Sequence, residues 1–234
     1  MKQNSLKTLP DNLFKEMKSL KILNLLGNCL KKVCLNGLSN LEELSIEFNR
    51  KVNIAETLGL FESLTSLKKL LIKFSQDEDE DEYDDDDEDE DDDEEDDDEN
   101  DDDDDDYDKK KKPVADIRPA NRITSDFFQG LSNLVELRIE EADNKLFEID
   151  CFKYLQNLVK LKLEKCSINE IKRKHFTGLE KLEYLDLSNN RVESVDENSF
   201  SDLSSLKELN LSKNKPSIRD FNKKSIRNNI KLIL

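Results

Sequence analysis

The sequence predicts an α/β solenoid, in which short strands from successive repeats form one parallel sheet and the connecting segments cover its other side. Three observations predict this fold: a leucine pattern with a nearly constant period, a second apolar pattern between its copies, and one long acidic run that interrupts them. Each stacked repeat covers the apolar face of its neighbour, so the repeats bury a continuous core.

The leucine pattern consists of three apolar positions and a fourth position, whose occupant is called the slot residue below. Leu182, Leu185, Leu187 and Asn190 recur one period later in the chain and, with Cys166 in the fourth position, one period earlier. Two leucines at a spacing of two point to the same side of a strand, and the slot amide can satisfy backbone groups where the chain turns away. The slot residues of the seven copies are Asn28, Asn49, Ser75, Ala142, Cys166, Asn190 and Asn214.

The second pattern places an aromatic or leucine residue and two further apolar residues at spacings of three. Phe176, Leu179 and Leu182 are one copy, and the other copies begin at Phe14, Leu35, Phe61, Phe128, Phe152 and Phe200. We expect this segment to pack against the sheet from the opposite, convex side. Together the two patterns resemble the leucine-rich repeat in its typical 24-residue subtype, and this resemblance implies a curved horseshoe with a parallel sheet on its concave face.

The acidic run lies between two parts of one repeat. From Asp77 to Asp108 every residue except two tyrosines and one asparagine is acidic, whereas the rest of the chain has 26 acidic and 37 basic residues, a balance of +11. Ser75 fills a slot position and the same copy resumes at Ile123, so the run is a loop inserted into that copy. Because closure entropy grows slowly with loop length, the solenoid can continue around it.

Three segments follow from this reading: repeats over residues 1–75, a disordered polyacidic insertion with a basic end over 76–118, and repeats of the same solenoid over 119–234. The tract Asp77–Asp108 has three interpretations: a solubilising spacer, a polyanion that attracts basic proteins such as histones, or a weak Ca²⁺ binder. The run Lys109–Lys112 resembles a nuclear localisation signal.

Neither end of the sequence has the polar or Cys-rich cap that closes a solenoid. Asn4, Leu6 and Leu9 fit the repeat without a preceding strand, and the residues after Ile230 resemble a further strand that is cut short. We therefore expect a fragment of a longer repeat protein. The alternative is an intact small intracellular protein with frayed ends.

The sequence argues against an enzyme and predicts no cofactor. It has no nucleophile paired with a base, no metal cluster and only five glycines, too few for a phosphate-cradling loop. We expect no nucleic-acid partner, no membrane span within this chain, and a surface position for the single histidine, His175. The four cysteines show no metal-binding spacing, and Cys166 in a slot is expected to be a buried, reduced thiol.

The candidate site is the concave face, which the non-leucine strand positions form. A charged protein-binding surface with Tyr184 as an aromatic anchor is one interpretation, and a plainly solvated charged face is the other. Asn210 also begins the only N-glycosylation sequon. The candidate contact residues are Glu136, Arg138, Lys160, Lys162, Tyr184, Asp186 and Asn210.

Two classes of function fit these features. The 24-residue length and the regular phenylalanine resemble the ectodomains of Toll-like receptors, which implies binding of a protein ligand or partner receptor in signal transduction at the extracellular face of the cell membrane. This sequence lacks the Cys-rich caps, signal peptide and transmembrane helix of that family. The alternative resembles the acidic leucine-rich nuclear phosphoproteins, which bind histones in the nucleus or cytoplasm but carry their acidic tract as a C-terminal tail.

Overall fold

The computed structural model describes residues 6–75, 122–217, 226 and 229–234. The acidic tract, its predicted disorder and the basic run Lys109–Lys112 lie outside the described residues, as does Asn4.

One parallel sheet of eight strands runs through the described residues, and this confirms the predicted solenoid. In spatial order its strands are β1 (Ile22–Leu30), β2 (Glu43–Asn49), β3 (Lys69–Ser75), β4 (Glu136–Glu140), β5 (Lys160–Glu164), β7 (Tyr184–Asp186), β9 (Glu208–Asn210) and β10 (Lys231–Ile233). Two short strands, β6 (Glu170–Ile171) and β8 (Ser194–Val195), form a second sheet.

The leucines of the pattern form the core because the strands pair in matching register. Leu137 lies opposite Leu161, which lies opposite Leu185, and all three side chains are buried. Equivalent residues stack in every repeat, so each added copy extends a single apolar column.

Strand β3 pairs directly with β4, although the acidic tract lies between them in the sequence. Leu70 lies opposite Leu137 in this pairing. Ile123 forms a parallel bridge with Phe147 on the other side of the solenoid. The two parts of the interrupted repeat therefore belong to one stack, while the boundaries at residues 75, 76, 118 and 119 stay a prediction.

Turns and three short 3-10 helices, rather than α-helices, cover the convex side in the described part of the chain. The apolar spacing of three explains this, because a 3-10 helix has three residues per turn. In one copy the N–H of Leu179 donates to Phe176 and the N–H of Leu182 donates to Leu179, each across three positions. The 3-10 helices are Ile54–Thr57, Ser125–Phe128 and Asn144–Leu146.

Three slot residues, Cys166, Asn190 and Asn214, link their repeat to the one before it. Asn214 donates from Nδ2 to the carbonyl of Leu187 in the preceding copy at 3.0 Å. Cys166 is fully buried, and its Sγ lies 3.5 Å from the carbonyl oxygen of Ile139, which has the same position in the preceding copy. A thiol thus replaces the amide in a weaker form of the same bond. As expected, Cys166 is buried.

Candidate protein-binding face

The concave face carries an alternating row of charges across the sheet, called the first row below. Strand register places the first residues of successive strands side by side, and their charges alternate in sign up to Lys160. Lys69 Nζ lies 2.7 Å from the Glu43 carboxylate, and Lys231 Nζ lies 2.9 Å from that of Glu208. Opposite charges on neighbouring strands stabilise a sheet. The first row consists of Glu43, Lys69, Glu136, Lys160, Tyr184, Glu208 and Lys231.

Tyr184 interrupts the alternation of the first row. Its side chain is 39% exposed, and Lys160 Nζ lies 5.6 Å from the centroid of its ring. A cation over an aromatic face holds the ring in place by electrostatic attraction. The sheet therefore presents one partly ordered aromatic ring among charged neighbours.

A compact ion-pair network fills the middle of the same face around Glu164. Arg138 Nη2 lies 3.1 Å and Lys162 Nζ 2.9 Å from Glu164 Oε2, and Arg138 also pairs with Glu140. The hydrogen bond from Lys162, with the attraction of Arg138, holds the pKa of Glu164 below its usual range. Lys162 further lies 3.6 Å from Asp186. Arg138 and Lys162 are therefore paired within the chain before any partner binds.

At the other side of the face, Glu47 is a buried carboxylate with only 6% of its surface exposed. Its oxygens accept 2.5 Å hydrogen bonds from the Gly27 N–H and the Ser75 hydroxyl, and Lys73 Nζ lies 3.5 Å away. Burial alone raises the pKa of Glu47, but the Ser75, Gly27 and Lys73 contacts outweigh it and leave the pKa lowered. This carboxylate links the ends of three adjacent strands.

A shallow depression of about 390 Å³ lies beside Tyr184. Asn210 borders it, and the Asn210 Oδ1 accepts hydrogen bonds from the N–H and hydroxyl of Ser212. A glycan on Asn210 would cover the depression, so glycosylation and protein binding are alternatives at this position. The depression brings together Lys160, Tyr184, Asp186, Glu208 and Asn210, whereas Glu136, Arg138 and Lys162 lie outside it.

Two other kinds of site are absent from the described residues. No group of three or more His, Cys, Asp or Glu side chains is placed there to hold a metal ion. In the same ranges, no helix has the length and apolar character needed to cross a membrane.

The sequence indicated the residues of the concave face but not their pairing. Reading the first strand position down the repeats, from Glu43 to Lys69, Glu136 and Lys160, would have revealed the alternation, because parallel in-register strands place equivalent positions side by side. A cleft on the opposite side of the solenoid, described below, was also missed, because it results from a missing backbone pairing.

Comparison with known proteins finds similar repeats and a similar fold. A family model described as a leucine rich repeat matches residues 2–50 and 156–215, and no curated protein matches. The structure of the Drosophila Toll–Spatzle complex is similar with a TM-score of 0.56 and 13% identity, over 89% of this chain and 22% of that one. The TLR13–ssRNA13 complex gives a TM-score of 0.46 and 17% identity, over 100% of this chain and 36% of that one. The chain thus spans well under half the length of either protein. The matched residues are leucine rich repeats, and the eight-stranded parallel sheet gives the chain a leucine-rich repeat fold similar to that of the Toll structure.

Proposed function

We propose that this chain is a non-catalytic recognition module that binds a protein partner through its concave face, with Tyr184 as the central contact. The observation that carries the proposal is the position of Tyr184, a 39% exposed ring flanked by charged residues and bordering a depression. Tyrosine is enriched among the residues that dominate binding energy at protein interfaces.

The paired charges around Tyr184 favour a protein partner of complementary charge pattern. Glu164 already holds Arg138 and Lys162, so these side chains lose little conformational freedom when a partner binds. Charges at the rim of an interface set orientation and association rate more than affinity. In this arrangement Tyr184 supplies affinity, and the surrounding charges supply selectivity.

The biological setting that we propose is ligand binding or dimerisation by a Toll-like receptor in signal transduction, at the extracellular face of the cell membrane. The 24-residue repeats with a regular phenylalanine support this setting. The alternative, a nuclear or cytoplasmic scaffold for histones, depends on the tract Asp77–Asp108, which lies outside the described residues, and no comparison supports it.

A photocrosslinking experiment tests the binding face. A benzophenone amino acid replaces Tyr184 in one preparation and Tyr154 in another. Tyr154 is a matched control because it is 46% exposed, lies in a turn outside the sheet and also has a lysine over its ring, with Lys153 Nζ 5.1 Å from the centroid. Each preparation is displayed on the surface of cells and irradiated. The proteins that become crosslinked to it are then identified by mass spectrometry.

The partner is then purified and its Kd is measured for the wild type, Tyr184→Ala and Tyr154→Ala. We expect Tyr184→Ala to weaken binding by about 30-fold, the effect of losing roughly 2 kcal/mol at a hot spot, and Tyr154→Ala to leave it unchanged. Identical capture from both positions, or equal affinity of both variants, would refute the proposal.

A further inference from the structure

A second cavity, called the lateral cleft, lies on the side of the solenoid away from the concave face. Its volume is about 320 Å³, within the range of small-molecule sites. The floor includes Leu163 and Leu187 of the core, and polar residues surround its mouth. Its walls include Phe147, Cys151, Phe152, Ile168, Ile171 and His175.

The lateral cleft exists because a backbone ladder is interrupted there. On one side, the N–H of Glu148 donates to the carbonyl of Ile123 at 3.1 Å. On the other side, the N–H of Asp196 donates to Ile171 at 2.9 Å. The equivalent bond between these two repeats would join the N–H of Lys172 to the carbonyl of Phe147. Instead, Lys172 donates to Nδ1 of His175 at 3.2 Å.

A second backbone N–H that would belong to this ladder, that of Phe147, also bonds a different acceptor. The N–H of Phe147 donates to its own turn, at the carbonyl of Asn144, rather than to Glu170. Within the described residues, the carbonyls of Phe147 and Glu170 therefore lack the ladder donors that their counterparts in neighbouring repeats have. Two residues that line the cleft thus each have a backbone acceptor without its ladder donor, and an unmade hydrogen bond at a partly buried group is costly.

His175 adds a donor to these acceptors. Because Nδ1 accepts the Lys172 N–H, the neutral ring must carry its proton on Nε2. Burial, with the nearby Lys172 charge, lowers the pKa of His175 and favours this neutral form. His175, expected on the surface, is thus half-buried in the wall of the cleft.

The cleft is lined by charges of both signs, the cations Arg122, Lys145 and Lys172 and the carboxylates Glu148 and Glu170. Lys172 Nζ pairs with Glu170 at 2.6 Å, and Asn144 Nδ2 donates to Asn169 Oδ1 at 3.0 Å. An uncharged ligand would leave the Lys172–Glu170 pair intact. The lining combines aromatic and aliphatic side chains with the carbonyls left by the interrupted ladder and with the His175 ring.

We propose that the lateral cleft binds a small uncharged aromatic amide, or a ring compound with the same donor and acceptor pattern. The amide N–H groups would donate to the carbonyls of Phe147 and Glu170, and its oxygen would accept from His175 Nε2. The aromatic ring packs between Phe147, Phe152 and Ile168. The ligand thereby supplies the hydrogen bonds that the interrupted ladder does not make.

The probe is 4-fluorobenzamide, with binding to the full chain followed by broadening of its fluorine NMR signal. N,N-dimethyl-4-fluorobenzamide has the same ring and oxygen but no N–H. We expect the wild type to bind the first compound at least tenfold more tightly than the second, since the site's acceptors stay unpaired with the dimethyl amide. This comparison needs no variant protein.

Two variants locate the probe. Ile168→Phe fills part of the cleft with a larger side chain, so it should abolish broadening, and a cooperative thermal transition shows that the variant is folded. Tyr184→Ala, on the concave face, should leave broadening unchanged. The proposal is overturned if the wild type shows no broadening at millimolar probe, if the dimethyl amide binds equally well, or if a folded Ile168→Phe protein retains binding.

Discussion

Asn190 Nδ2 donates a 2.7 Å hydrogen bond to the carbonyl of Leu163 in the preceding repeat, while its Oδ1 accepts a 2.8 Å bond from the N–H of Cys166. The same amide group also donates to Leu187 in its own repeat, at 2.9 Å. A single buried side chain therefore joins two repeats at the end of their strands. Asparagine suits this role because it has both donors and an acceptor on one planar group.

Replacing Asn190 with alanine should strongly destabilise the fold. The variant leaves the Leu163 carbonyl and the Cys166 N–H buried without partners, at a cost of about 3 kcal/mol. Urea denaturation followed by circular dichroism measures the free energy of unfolding. Asn210→Ala is the control, because its Oδ1 bonds only Ser212 on the half-buried face and its loss should cost under about 1 kcal/mol. Equal losses in both variants would contradict the role of the slot.

The stack of repeats was predictable from the sequence because its determinants are local and periodic. The spacing of the leucines between Leu182 and Leu187 predicts a strand and the face of it that points into the core. The recurrence of this spacing in each repeat predicts the parallel register. The slot chemistry could be anticipated for Asn190 and Asn214 for the same reason.

The detailed site was not predictable, because it depends on pairings between distant repeats. The sequence predicts Arg138 to be an exposed charge, but in the structure it forms an ion pair with Glu164 of the next repeat. The lateral cleft depends on whether the Lys172 N–H bonds the His175 ring or the preceding repeat, and the spacing of these two residues in the sequence does not decide between them. The repeat period predicted which side chains face the core and which face solvent. It did not predict which side chains of neighbouring repeats contact one another.

We predict that Gly130 tolerates no side chain, because it packs against the backbone of Phe61 and Glu62, which precede the insertion in the sequence. Its φ is +91°, and an added Cβ would lie 2.6 Å from the Glu62 Cα. We expect Gly130→Ala to cost at least about 3 kcal/mol through backbone strain and overlap. Thermal unfolding and urea denaturation provide the measurement.

Gly59 is the matched control for Gly130. Its φ is +78°, but an added Cβ would meet only the flexible Glu62 side chain, at 3.4 Å. Gly59→Ala should therefore cost only about 1 kcal/mol, the penalty of the left-handed backbone alone. If the two variants lose the same stability, close packing against Glu62 does not explain the requirement at Gly130.

Glu47 should contribute stability at neutral pH that disappears in acid. Its folded pKa lies below the ordinary value of 4.5, so the contribution is present above that pH and is lost as the pH falls through the folded pKa. Glu47→Gln should cost roughly 1–3 kcal/mol at pH 7, because it weakens the bonds from Gly27 and Ser75. The difference between wild type and variant, measured by urea denaturation, should shrink steadily below pH 4.5. A difference independent of pH would show that the Glu47 charge is not involved.

The four cysteines should divide into two kinetic classes toward a thiol reagent. Burial raises the pKa of Cys166 to about 12 and raises that of Cys151 as well, so neither forms appreciable thiolate at pH 8. Cys29 and Cys34 are half-buried and should react first. Absorbance with a chromogenic disulfide should show two fast thiols, and two more after addition of denaturant. A Cys29→Ser/Cys34→Ser variant should lose the fast phase, and four fast thiols in the wild type would contradict the buried assignment.

Deleting residues 76–118 should leave the repeat stack folded, because β3 pairs directly with β4 across the insertion. The deletion joins Ser75 to Pro119 and leaves the five-position spacing to Ile123 that also separates Asn190 from Val195. The shorter loop between Ser75 and Ile123 should stabilise the fold by up to roughly 2 kcal/mol, because the entropy cost of closing a loop grows with the logarithm of its length. Thermal unfolding provides the measurement, and a Gly-Ser segment of the original length separates the effect of length from that of charge. A collapse of the melting temperature in the deletion variant but not in the Gly-Ser variant would mean that the stack needs a long connection. A collapse in both would mean that the acidic residues themselves support the solenoid.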